Sequence, residues 1–155
     1  SKVDISIRTD RKGNGLAKFV SATIKVNNVE KTQIQISQGV TFCLGIESSD
    51  KMENIEIMLS IYNNMSVLLT STNSQLMSKK NLSLKKGINY FYCEFDSLPF
   101  QVGKYKVNIR LRNQEGDCDW IEDAFVFDIV EADIYNTGRN YTQGGSLVLL
   151  PHTWQ

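Results

Sequence analysis

This chain is short of the residues that usually announce chemistry: it holds one histidine, three cysteines and two prolines, and its basic and acidic residues balance at 17 each. The charge balance excludes a broad electrostatic attraction to nucleic acid or to an anionic membrane and leaves a neutral partner such as a glycan open. No apolar run approaches the ~18 residues that a membrane-spanning helix needs, and the N-terminus lacks the charged-then-apolar profile of a signal peptide. Cys43, Cys93 and Cys118 are odd in number and widely spaced, which excludes a zinc or redox pair motif and suits a reducing compartment. Cys93 alternates with Phe91 and Phe95 and reads as a small buried hydrophobe.

Catalytic signatures are missing too. There is no G-x-x-x-x-G-K-[ST] loop and no G-x-G-x-x-G turn, so the chain alone is not expected to hydrolyse ATP, and no cofactor is implied. His152, beside Pro151 and Trp154, has no serine or cysteine in a nucleophile setting and reads as a terminal packing or surface residue. Asp117, Asp119, Glu122, Asp123 and Asp128 raise the thought of calcium, but their spacing does not match an EF-hand loop, and no metal site is predicted. Carboxylate pairs for a glycosidase are no commoner than chance would supply.

What the chain does have is alternation of period two from end to end, with helical periodicity nowhere sustained. Val20, Ala22, Ile24 and Val26 form one apolar set; Val40, Phe42, Leu44 and Ile46 a second; Ile55, Ile57, Leu59 and Ile61 a third. Asn63-Asn64 predicts a hairpin into a strand over residues 65–70, because asparagine tolerates positive φ. Residues 71–86 are polar, rich in Ser, Asn and Lys, and read as the longest loop, ended by Gly87. Further strands carry Phe91, Cys93 and Phe95, then Tyr105, Val107, Ile109 and Leu111, then, after a turn at residues 113–117, Phe125, Phe127 and Ile129.

Eight or nine short strands with regular turn signals predict an all-β, two-sheet antiparallel sandwich of immunoglobulin or jelly-roll type, one domain over residues 1–155. Residues 135–145 read as a flexible connection to a last strand over 146–150, which either folds back on its own sheet or is exchanged with a second copy to give a homodimer. The chain starts at Ser1 inside what reads as a structured segment, so it is expected to be part of a longer protein.

Two outward faces carry aromatic and planar polar groups. Opposite Phe91, Cys93 and Phe95 stand Tyr90, Tyr92 and Glu94; beside the small residues Thr41, Cys43 and Gly45 they would form a shallow groove. Pyranose rings stack their C–H faces on such aromatics and offer hydroxyls to groups such as Glu and Arg. The second face holds Tyr62, Asn108, Arg110, Arg112 and Trp120. Sugar stacking on Tyr90 and Tyr92, with Glu94, Arg110 or Arg112 orienting hydroxyls, is the expected arrangement; the alternative is a structural dimerisation sandwich with these rings between subunits.

In order and spacing, several segments resemble one family. They are Gly15-Leu16-Ala17; residues 37–42; residues 68–74; Leu98-Pro99-Phe100-Gln101-Val102-Gly103-Lys104-Tyr105; Asp123-Ala124-Phe125-Val126-Phe127; and the closing Gly145-strand-Pro151-x-x-Trp154. Together they are similar to the C-terminal carbohydrate-binding domain of the Wzt family, the ATPase subunits of O-antigen polysaccharide ABC transporters. The resemblance implies a cytoplasmic, non-catalytic module at the inner face of the bacterial inner membrane that binds the polysaccharide, at its non-reducing end. It implies as partners an ATPase domain in the same chain and a membrane subunit, with no nucleic acid and no membrane insertion. Binding residues vary with the glycan in such a family, so none is carried over. The Lys- and Ser-rich loop over 74–86 has no counterpart in it that can be matched.

Overall fold

The computed structural model describes residues 4–141 and 145–155. Residues 142–144, which belong to the predicted connection, and 1–3, at the predicted fragment start, lie outside the described residues. After a 3-10 turn at Ile5–Ile7 come ten strands: β1 Ala17–Val26, β2 Val29–Glu30, β3 Gln33–Gln35, β4 Val40–Ser48, β5 Met52–Asn63, β6 Leu68–Asn73, β7 Leu82–Leu84, β8 Gly87–Phe95, β9 Gly103–Asn113 and β10 Gly116–Val130. They form two sheets, β2-β1-β4-β8 and β3-β10-β9-β5-β6, with β7 also paired to β5. All pairings are antiparallel except β3 on β10.

The predicted alternation places the core. Ile55, Ile57, Leu59 and Ile61 of β5 and Tyr105, Val107, Ile109 and Leu111 of β9 are buried from one sheet; Val40, Phe42, Leu44 and Ile46 of β4 meet them from the other. Tyr105 is buried against Phe127 and Phe100, donates its hydroxyl to the Gln101 carbonyl, and burial pushes its pKa to about 12.

Several expectations are corrected. In β1 the register slips between Phe19 and Ser21, so Phe19 takes the core place expected for Val20, and the phase recovers at Ala22, Ile24 and Val26; a bulge adds one residue and flips the face. The hairpin after β5 holds its positive φ at Ser66, 62°, not at an asparagine. Asn63 instead works through its side chain, accepting from the amides of Met65 and Val67 at 2.9 Å each. β6 runs later than 65–70, and the supposed loop over 71–86 contains its end and β7, whose Leu84 is fully buried. Asn27 and Asn28, at φ 49° and 64°, make a two-residue hairpin between β1 and β2 that the alternation did not mark.

Cys93, expected in the core, is half-buried along with Phe91 and Phe95, because β8 is the edge of its sheet and Phe91 and Cys93 line an open cleft between the sheets. Burial still pushes the Cys93 thiol up. In place of the predicted strand over 146–150 there is one antiparallel bridge, Val148 to Phe100, with Leu149 donating to the Pro99 carbonyl and buried. Within the described part of the preceding connection, the Asp133 carboxylate accepts from the amides of Thr137 and Gly138.

Candidate functional site

The outer face of the four-stranded sheet is built by register. Antiparallel pairing of β4 with β8 sets Gly45 opposite Tyr90, Cys43 opposite Tyr92 and Thr41 opposite Glu94. On the other flank of β4, β1 sets Ser21 opposite Gly45, Thr23 opposite Cys43 and Lys25 opposite Thr41. Two tyrosines separated by one residue on a strand lie about 7 Å apart on the same face. They are 60% and 67% exposed, although both belong to a sheet whose other face is core.

The floor beneath them is low because its side chains are small. A β-carbon added to Gly45 would stand 3.2 Å from Cε1 of Tyr90 and 2.3 Å from Oγ of Ser21, so the Tyr90 ring leans over the glycine. Replacing Gly45 by leucine is expected to raise the floor and turn the Tyr90 ring away; the aromatic NMR signals of Tyr90 should shift, and unchanged signals would count against this packing. At one end of the ladder, Glu94 opens into a groove of about 460 Å³ walled by Lys25, Asn27, Asn28, Gln38 and Asp96. None of these five was anticipated. The signal that could have found them is the Asn27-Asn28 turn, which brings β2 back beside Lys25.

The second predicted face lies on the opposite side of the molecule and is divided. Arg110 grips Asp117 with two hydrogen bonds of 2.7 Å and lies 4.2 Å over the Trp120 ring, while Arg112 reaches the same carboxylate at 3.3 Å. The Arg110 fork holds the Asp117 carboxyl below the usual range. Lys12 covers the Trp120 ring at 4.8 Å. Tyr62 stands opposite Lys106, four strand positions and so about 13 Å from Arg110.

Six of the seven predicted residues therefore fall into two groups. Tyr90, Tyr92 and Glu94 share one face; Arg110, Arg112 and Trp120 share another, with Tyr62 apart. The expected partnership of Tyr90 and Tyr92 with Arg110 or Arg112 is corrected: two sheets and a core about 10 Å thick separate them, and both arginines are committed to Asp117. Of the acids considered for calcium, Asp117 is spent on arginines and Asp119 on the Phe19 amide at 2.8 Å.

Comparison with known proteins agrees with this architecture. No curated protein sequence matches the chain. Among solved structures, the C-terminal domain of Wzt superposes with a TM-score of 0.78 at 16% identity, covering 96% of this chain and 89% of that one. A Niemann-Pick type C2 protein from Japanese carpenter ant superposes with a TM-score of 0.52 at 16% identity, covering 76% of this chain and 96% of that one. At such identities the likeness is one of fold. The family model described as the Wzt C-terminal domain matches residues 8–145, and the chain belongs to that family.

Proposed function

We propose that this domain binds a polysaccharide, without catalysis, on the outer face of its four-stranded sheet, and that it does so for the O-antigen export system with which its family is associated. The observation that carries the reading is the pair of exposed rings, Tyr90 and Tyr92, over the small residues Gly45 and Cys43. Such a trough takes the apolar face of a pyranose, and Glu94 with the adjoining polar groove supplies hydroxyl partners. Contacts worth about 1 kcal/mol each give micromolar to millimolar affinity.

Titration with the cognate O-polysaccharide, followed by NMR, tests this. Tyr90→Ala and Tyr92→Ala should each weaken binding about fivefold and the double variant about 25-fold; no response at millimolar repeat units sinks the reading. Because β8 is a sheet edge, a contact between two copies is the second reading. Monomerisation of the double alanine variant, seen by light scattering, would favour it.

A further inference from the structure

Between Glu56 and Glu94 the chain has no acidic residue, yet it carries Lys79, Lys80, Lys85 and Lys86. A lysine-rich loop is ordinarily just a solvated one, but two observations set this one apart. Five lysines elsewhere in the molecule stand beside acids: Lys12 by Glu122 at 3.5 Å, Lys51 by Glu53 at 3.2 Å, Lys104 by Asp128 at 3.9 Å, with Lys18 and Lys25 across from Glu47 and Glu30. The four in this segment make no ion pair among the described residues, and all are exposed.

The same segment also pushes apolar side chains into water. Leu76 and Met77 are 83% and 69% exposed, on a turn that Asn73 holds in shape by accepting from the amides of Gln75 and Leu76 through its side chain and of Met77 through its carbonyl. One lysine pair precedes β7 and the other follows it, so at most about 17 Å of extended chain separates Lys80 from Lys85. Both pairs and the apolar tip belong to one stretch beside the edge of the sandwich.

We propose that this segment is a docking surface for an anionic lipid bilayer, with the four ammonium groups over the headgroups and Leu76 and Met77 entering the interface. A nucleic acid would use the charge but has no place for an exposed Leu-Met tip; a bilayer uses both. The surface adjoins the tyrosine trough, since Met77 and Lys80 line one cleft with Tyr92 and Glu94.

Co-sedimentation of the chain with vesicles of phosphatidylcholine alone, and of phosphatidylcholine mixed with phosphatidylglycerol, tests it. Binding is expected to the mixed vesicles only and to fall as salt rises. Lys79→Gln with Lys80→Gln should weaken it about 25-fold, at about fivefold per lysine, and all four changes should abolish it. Leu76→Ser with Met77→Ser should weaken it further at high salt. Thermal melts establish that each variant is folded, and the salt series on the unaltered chain stands without them. The proposal is overturned by equal binding to both vesicles, by binding to neither, by undiminished binding of the four-lysine variant, or by a DNA duplex binding more tightly than the mixed vesicles.

Discussion

Asp119→Ala is expected to cost about 3–5 kcal/mol of folding stability, because it takes the carboxylate partner from the largely covered Arg11 and leaves the buried Phe19 amide without its acceptor. Asp119 is 1% exposed; its Oδ2 accepts from the Phe19 amide, and its Oδ1 stands 3.4 Å from Nε of Arg11. Arg11 in turn donates to the carbonyls of Ile5 and Phe19 at 3.1 Å each, so one buried pair ties the lead-in segment, the β1 bulge and β10 together. A domain of this size loses about 2–4 °C in melting temperature per kcal/mol, which places the variant roughly 10 °C below the parent. A drop equivalent to less than about 1 kcal/mol would show that the pair is dispensable.

The pH dependence follows from the same burial. Desolvation holds the Asp119 carboxyl above its usual range, against the opposing pull of the Phe19 amide and Arg11. A carboxyl raised in the folded state contributes stability that is fully present below its unfolded pKa and is lost as pH rises through the folded value. Asp119→Asn keeps an acceptor for the Phe19 amide. It should be milder than the alanine variant and should flatten the fall in stability on going from acid towards neutral pH, measured by melts across that range.

Phe42→Ala is the second large expected effect, again about 3–5 kcal/mol, through the cavity that a buried phenylalanine leaves. Phe42 is fully buried on β4, with ring centroids 5.6 Å from Phe95 on its own sheet and 5.9 and 6.2 Å from Phe125 and Phe127 on the other. It is the ring through which the two sheets meet. Its chain neighbours Thr41 and Cys43 belong to the outer floor, so loss of this anchor should also weaken polysaccharide binding beyond what a distant core cavity does. Chemical unfolding and the glycan titration on the same variant check both parts; a stability within about 1 kcal/mol of the parent would mean that the core repacks around the gap.

The sandwich was legible because alternation is written residue by residue: Ile55 to Ile61 and Tyr105 to Leu111 declare their buried face without reference to any partner. The pairing of Tyr90 and Tyr92 with a low floor was legible for a related reason, since a strand with Phe91 and Cys93 inward must turn its tyrosines outward. The bulge at Phe19 was not, because one inserted residue changes the face while leaving a plausible apolar pattern on either side. β7 was hidden inside a polar stretch, since three residues beside β5 need no periodicity of their own.

Local pattern thus determined the all-β class, the core faces of the long strands and the outward direction of Tyr90, Tyr92, Glu94, Arg110 and Arg112, because side-chain direction on a strand depends only on parity. Which of those outward residues share a surface was decided by tertiary structure alone. Sheet membership puts β8 and β9 on opposite sides of the core, so Arg110 and Arg112 belong to Asp117 and Trp120, the tyrosines are left with Gly45 and Cys43 as their neighbours, and Glu94 with the Asn27-Asn28 turn. Parity is a property of one strand, whereas adjacency depends on contacts between residues far apart in the chain.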